Sequence, residues 1–303
     1  MRILLTGVNG QVGNALRPSL GSIGTVVAAD RSLLDLSRPN DLSATLEDIA
    51  PDLIVNPAAY TAVDLAEDER DLAYRVNAEA PARMAQWAAK RGVPMVHFST
   101  DYVFNGAGET PWREDDSTGP LSVYGLSKLA GETAVRSAGG SHLVIRTSWV
   151  FASKGKNFLN TIVRLARERS ELRIVADQIG APTSARSIAE GLTSILGGAA
   201  RGDRDDVRRL FELTSGVVHM SNSGETSWHG FACAIVDGLR RRGGRLAVAT
   251  VAAIETSDFP TKAVRPHNSR LDTSRLYRVF GLKMADWENA LDRELDDLAD
   301  ASE

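Results

Sequence analysis

Long apolar runs are what this chain most visibly lacks. Nothing in its 303 residues approaches the roughly 18 consecutive apolar residues of a membrane span. The apolar run within Met1-Arg2-Ile3-Leu4-Leu5-Thr6-Gly7 is also too short for a signal peptide. Cysteine is almost missing. Cys233 alone excludes an intrachain disulfide, which fits a reducing cytosol. It lies in Phe231-Ala232-Cys233-Ala234-Ile235-Val236, where a small buried hydrophobe is expected rather than a nucleophile. The five histidines show no metal-ligand spacing, so no metal site is expected, and no Gly-x-Ser-x-Gly elbow points to a hydrolase. A positive excess is absent too: the formal charge of -4 argues against a nucleic-acid or anionic-membrane partner. Arg240-Arg241-Arg242 reads as a solvated helix end. The expectation is a cytoplasmic protein that meets neither nucleic acid nor membrane.

What is present is a strand–helix alternation. Ile3-Leu4-Leu5, Thr25 to Ala29, Leu53-Ile54-Val55-Asn56, Met95-Val96-His97-Phe98 and Leu143-Val144-Ile145 read as short buried strands. Helical stretches separate them, one carrying Ala73, Val76, Ala80, Met84, Trp87 and Ala88 at helical spacing. Continuous apolar strands alternating with helices predict an α/β fold, a doubly wound parallel sheet covered on both faces. Beyond about residue 150 the pattern loosens into helices near 157–169, 187–196, 228–242 and 287–300. The organisation expected is a nucleotide-binding domain over 1–150, with later segments returning to it, and a smaller substrate-binding domain over mainly 151–303. The polar run Gly202-Asp203-Arg204-Asp205-Asp206 reads as an exposed loop.

The chemistry-bearing residues sit at the strand ends. Gly7-Val8-Asn9-Gly10-Gln11-Val12-Gly13 lies between the first strand and its helix, where glycines let backbone approach a pyrophosphate and the helix start offers free N–H groups. The spacing is Gly-x-x-Gly-x-x-Gly instead of the more usual Gly-x-Gly-x-x-Gly. Asp30 ends the second strand, where a carboxylate binds ribose hydroxyls and favours NADH. Arg31 follows and suits the 2′-phosphate of NADPH, so either dinucleotide fits. Small residues in Asn56-Pro57-Ala58-Ala59-Tyr60-Thr61 leave room for a flat cofactor. Thr100, in Ser99-Thr100-Asp101-Tyr102, offers a hydroxyl to a carbonyl oxygen at the next strand end. Tyr124 and Lys128 stand four apart on a helix, hence on one face, where an ammonium would lower the phenol pKa. Such a pair suits the proton transfer that accompanies hydride addition to a carbonyl.

Together these elements resemble the extended short-chain dehydrogenase/reductase superfamily, and further stretches narrow the likeness to the dTDP-4-dehydrorhamnose reductase family. They are Ser99-Thr100-Asp101-Tyr102-Val103-Phe104, the run from Tyr124 to Glu132, Arg146-Thr147-Ser148-Trp149-Val150, Asp177 to Thr183, and Arg265 to Leu271. The resemblance spans almost the whole chain. It implies a Rossmann-like fold, NADPH or NADH as cofactor, and reduction of dTDP-4-dehydro-L-rhamnose to dTDP-L-rhamnose. Thr100, Tyr124 and Lys128 match the catalytic set. Gly10, Gln11, Val12, Asp30, Asp35, Leu36, Ala59, Tyr60, Thr61 and Phe98 match dinucleotide-site positions. Thr100, Asp101 and Trp149 match sugar-nucleotide contacts, and Arg265 is a candidate for the substrate pyrophosphate or for a loop staple. Related dehydratases carry Asp-Glu after the catalytic threonine; Tyr102 follows Asp101 here, which favours simple reduction. Ala15 and Arg186 stand where some members have metal-bridging glutamates, so neither magnesium nor that dimer is carried over. A monomer or weak homodimer is expected. Another nucleotide 4-keto-6-deoxysugar, or a non-catalytic role resembling the beta subunit of methionine adenosyltransferase, is the alternative.

Overall fold

The computed structural model describes residues 1–199, 204–212 and 216–300. The first half runs β1 (Arg2–Leu5), α1 (Gln11–Leu20), β2 (Thr25–Ala28), α2 (Leu42–Ile49) and β3 (Leu53–Asn56). Then come α3 (Arg70–Tyr74), α4 (Ala80–Arg91), β4 (Met95–Thr100), α5 (Val123–Ser137) and β5 (His142–Thr147). The second half begins β6 (Val150–Phe151), α6 (Phe158–Glu168), β7 (Glu171–Val175), β8 (Ile179–Gly180), β9 (Thr183–Ser184) and α7 (Ala185–Ala199). It ends α8 (Arg204–Glu212), β10 (Val217–His219), β11 (Thr226–Ser227), α9 (Trp228–Arg241), β12 (Thr250–Ile254), β13 (Asn268–Ser269), α10 (Ser274–Phe280) and α11 (Trp287–Asp300).

Six strands form one sheet in the order β10-β5-β4-β3-β1-β2, every pair parallel. Side-chain alternation divides each strand between two cores. Ile3, Leu5, Leu53, Val55, Val96, Phe98, Leu143 and Ile145 meet α1, α7 and α8 on one face. Leu4, Ile54, Met95 and Val144 meet α2 and α4 on the other. Both faces are covered, which is why these strands read as unbroken apolar runs. The strand order reverses at β1, so a crevice opens outside the carboxyl ends of β1 and β3.

A separate core gathers Phe151, Leu159, Ile162, Leu172, Phe231, Ile235, Trp287, Leu291 and Leu295 from α6, α9 and α11. Short sheets β11-β8-β13, β12-β7 and β6-β9 frame it. The basic run closing α9 is not simply solvated: Arg242 pairs with Asp292 and Asp296, and Arg241 with Asp292, which fastens α9 to α11. Cys233 is half-buried, with Sγ 3.6 Å from His229 Nε2, instead of fully enclosed.

Two local expectations are corrected. The helix expected through Ala73 to Ala88 is interrupted by a π turn over Arg75–Glu79. The tertiary bonds of Asn77, described below, hold that turn. Of the polar run near 204, Gly202 and Asp203 lie outside the described residues, while Arg204, Asp205 and Asp206 open α8 instead of a loop. The acids fall in the first turn, where the helix dipole favours them, and pair with Arg208 and Arg209 three residues on.

Candidate active site

The glycine loop is built by contact as much as by conformation. Gly7 has φ +58°, and a Cβ there would lie 2.8 Å from Ala58 Cα, which brings the loop against the end of β3. At Gly13 a Cβ would stand 2.1 Å from the Gly7 carbonyl oxygen. Gly10 caps α1 with no side-chain bond, and the first turn holds no acid, so its amides suit a phosphate. Val12 packs against the core below. Gln11 turns elsewhere: its Nε2 donates to Val150 O at 3.3 Å, and its Oε1 accepts from Asn157 Nδ2 at 2.9 Å.

At β2 the Asp30 carboxylate closes its own turn. Oδ1 accepts from Ser32 Oγ at 2.5 Å and from the Ser32 amide at 2.9 Å. Those Ser32 bonds lower its pKa, so it stays ionised. Asp35 does the same with Ser37, whose backbone bond is the main cause of its lowered pKa. Arg31 and Thr61 are exposed and Ala59 half-buried, whereas Leu36 and the Phe98 side chain are core, so either of the latter pair meets a cofactor chiefly through its backbone. Tyr60 OH donates to Glu69 Oε2 at 2.7 Å, and burial pushes its phenol up to about 12.

Helix α5 carries the reacting side chains. Ser122 caps it, its Oγ accepting the Gly125 amide at 3.2 Å. Two glycines let α5 lie close to its neighbours: a Cβ at Gly125 would be 2.3 Å from Tyr102 O, and one at Gly131 would be 2.0 Å from Asn77 O. Tyr124 is thereby set beside Thr100, whose hydroxyl is near enough to favour the phenolate slightly, and its ring meets Tyr102 edge-on at 5.5 Å. Thr100 Oγ1 donates to Asp101 Oδ1 at 2.9 Å and accepts from the Tyr102 amide at 3.2 Å. Asp101 is buried beside Thr100 and Ser269, and desolvation raises it to about 6.

The Tyr–Lys relationship differs from its sequence reading. Burial pushes Tyr124 up to about 12, with the Thr100 hydroxyl only partly opposing it. Lys128 Nζ is spent on Phe98 O, at 2.6 Å, and burial lowers its pKa to about 8. Tyr124 is therefore held as a proton donor, the form a reductase requires.

Residues that the sequence reading missed hold this geometry. Asn77 in the π turn accepts from the Tyr60 amide at 2.8 Å, and its Nδ2 donates to Tyr60 O at 3.1 Å and Ser127 Oγ at 3.0 Å. It joins the β3 strand end to α5. Beneath the site, Thr6 Oγ1 donates to Asn56 Oδ1 at 2.6 Å, and Asn56 Nδ2 lies 3.1 Å from His97 Nδ1. Burial holds His97 neutral. Ser122 before an apolar run is a legible capping signal; Asn77 and His97 carried none.

On the substrate side Trp149 adopts φ 47°, stacks on Trp228 at 3.7 Å and packs against Gly180. Its Trp228 side is thus closed to any ligand. Arg265 Nη2 donates to Asp64 Oδ2 at 2.7 Å, while Nη1 is buried without a partner. Arg186 pairs with Glu294 and Asp297, and among the described residues no cluster of His, Cys, Asp and Glu suited to a metal occurs. No helix among the described residues is long and apolar enough to cross a membrane.

A parallel sheet with a phosphate-suited glycine loop at its switch point, with Thr100 at the end of β4 and Tyr124 and Lys128 on the helix that follows, defines a dinucleotide-dependent reductase of the short-chain class. A family model described as the RmlD substrate binding domain matches residues 1–300. The dTDP-4-dehydrorhamnose reductase of Burkholderia thailandensis is 50% identical over 293 residues, 96% of this chain and 97% of that protein. That of Escherichia coli (strain K12) is 42% identical over 302 residues, covering 98% of each. Among solved structures, a dTDP-4-dehydrorhamnose reductase from Clostridium acetobutylicum superposes with TM-score 0.88 at 33% identity, covering 98% of this chain and 99% of that one. The Bacillus anthracis reductase in complex with NADP gives TM-score 0.84 at 34% identity, with the same coverage. The chain belongs to the dTDP-4-dehydrorhamnose reductase family.

Proposed function

We propose that this protein reduces the 4-keto group of a nucleotide-linked deoxysugar with NADPH or NADH, converting dTDP-4-dehydro-L-rhamnose to dTDP-L-rhamnose. The observation that carries the reading is the Tyr124 phenol, held protonated by burial beside the Thr100 hydroxyl at the end of β4.

The reduced nicotinamide, when bound, supplies the hydride that adds to the keto carbon. Tyr124 gives its proton to the ketone oxygen as negative charge develops there. Thr100 takes part by turning its hydroxyl from Asp101 to that oxygen; a donor so placed stabilises the developing alkoxide. Lys128 keeps one N–H on Phe98 O and has further donors for the cofactor ribose. Gly7, Gly10, Gln11, Val12 and Gly13 hold the pyrophosphate, while Asp30 and Arg31, with Asp35 and Leu36, flank the adenosine ribose. Ala59, Tyr60, Thr61 and Phe98 line the path towards the nicotinamide. Asp101, Trp149 and Arg265 face the sugar nucleotide, Arg265 as a diphosphate contact and Trp149 through its ring edge. Residues 151–303 mainly form the substrate side. The reading also includes a cytoplasmic location and a monomer or weak homodimer.

The test is NADPH oxidation by the purified protein with dTDP-4-dehydro-L-rhamnose, with the product's stereochemistry read by NMR. Formation of dTDP-L-rhamnose supports the assignment. Oxidation no faster than without the sugar refutes it.

A further inference from the structure

The segment after β3 reaches three parts of the site through four carboxylates. Glu67 Oε1 accepts the amide of Val123, the first residue of α5 and the neighbour of Tyr124, at 2.9 Å. Glu69 accepts from Tyr60 OH. Asp64 takes the Arg265 guanidinium at 2.7 Å through Oδ2 and the Ala263 amide at 3.0 Å through Oδ1. Asp68 pairs with Lys262.

The first amides of a helix have no intrahelical acceptor. Ser122 serves Gly125, so the Val123 amide depends on Glu67, whose charge also suits the positive end of the helix. Glu67 belongs to a three-residue 3-10 turn, Leu65–Glu67, too short to fix its own position. Its anchors are Ala66, fully buried with Ala73 and Val123, and beyond it the ion pairs to residues 262–265 on one side and Tyr60 on the other. Arg265, in turn, has Nη2 committed to Asp64 and Nη1 buried without an acceptor. A buried donor left unmade is costly, so this guanidinium favours a further acceptor oxygen.

We propose that Glu67 is a positioning residue for Tyr124, and that the Asp64–Arg265 pair sets Glu67, so that a diphosphate taken up at Arg265 steadies the catalytic phenol. The coupling to Arg265 rests on the diphosphate reading above; the role of Glu67 does not.

The test compares the full chain with Glu67→Ala, Glu67→Gln, Asp64→Asn and Arg265→Ala by steady-state kinetics, melting temperature, NADPH affinity and hydrogen exchange over residues 122–126. Glu67→Ala should lower kcat about tenfold, with KM and NADPH affinity within about twofold of wild type, because a misplaced catalytic group costs rate and not binding. Exchange at the start of α5 should quicken. Glu67→Gln keeps an acceptor oxygen and should restore most of both. Adding dTDP should slow exchange at 122–126 in the wild type but not in Asp64→Asn or Arg265→Ala. Unchanged kcat and exchange in Glu67→Ala, or a Glu67→Gln as impaired as Glu67→Ala with a lowered melting temperature, overturns the role of Glu67. A dTDP response that survives in Asp64→Asn and Arg265→Ala overturns the coupling. If the wild type fails to reduce the keto-sugar, the activity assignment falls, and the exchange data still decide both parts.

Discussion

Lys128 Nζ donates to the carbonyl oxygen of Phe98 at 2.6 Å, so the cation of the catalytic helix is anchored to the β4 strand and not to its neighbour Tyr124. The two groups titrate in different ranges because burial acts on them in opposite directions. Lys128 is lowered to about 8 by burial and Tyr124 raised to about 12.

The pH profile of reduction should therefore fall above about pH 8, as Lys128 loses its charge while Tyr124 keeps its proton. Lys128→Arg, charged throughout, should shift that limb to higher pH. Stability carries a matching signature. Between about 8 and 10.5 the folded state binds fewer protons at Lys128 than the unfolded chain, so this residue makes stability rise with pH across that window. Urea unfolding of wild type against Lys128→Met at pH 8 and pH 10 checks it: the gap between the two should change in the wild type's favour.

Tyr124→Phe removes the proton and leaves the ring that packs against Tyr102. Turnover should drop by roughly a thousandfold or more, with general acid catalysis supplying about that much. NADPH affinity, followed by fluorescence, should hardly change.

Gly13→Ala places a methyl 2.1 Å from the Gly7 carbonyl oxygen, and backbone cannot yield to it. A lowered melting temperature is expected together with loss of NADPH binding. Gly10→Ala meets the same oxygen at 3.2 Å, a tight but not prohibitive contact, on ordinary extended backbone, so it should melt only slightly below wild type. Its main effect should be weaker dinucleotide binding. Thermal melts with and without NADPH separate the two variants.

Arg146 and Glu132 form a buried ion pair, 2.9 and 2.7 Å, between β5 and α5. Glu132→Gln leaves the guanidinium enclosed with no counter-charge, and breaking such a pair costs about 3–5 kcal/mol. Glu132→Gln should thus unfold at markedly lower urea, and Glu132→Leu with Arg146→Met should recover much of the loss.

Strands β1, β3, β4 and β5 could be read from the sequence because they are buried on both faces and carry apolar runs, as in Leu53-Ile54-Val55, whereas β2 is only half-buried and the three-residue β10 was not read at all. The glycine loop and the Thr100, Tyr124 and Lys128 positions were legible for a related reason: local spacing alone places them at strand ends or on one helix face. The π turn at Arg75–Glu79 was not legible, since residues 73–88 keep helical periodicity and only the distant Tyr60 and Ser127 reveal why Asn77 bulges. Two-residue strands such as β8 and β13 are too short to leave a pattern. The phenol pKa was misjudged because four-residue spacing gives a shared face but not the direction of a long side chain, and Phe98 O lay outside that local view.

The last strand of the sheet, β10, is drawn from residues 217–219 and pairs with β5 through Val144, Ile145 and Arg146. During synthesis the hydrogen-bonding edge of β5, which ends at Thr147, must therefore wait, exposed, until the chain reaches Val217. A nascent chain halted before residue 217 presents a ready template for strand addition by other polypeptides. Fragments ending there should be captured by chaperones or aggregate, whatever their cofactor supply.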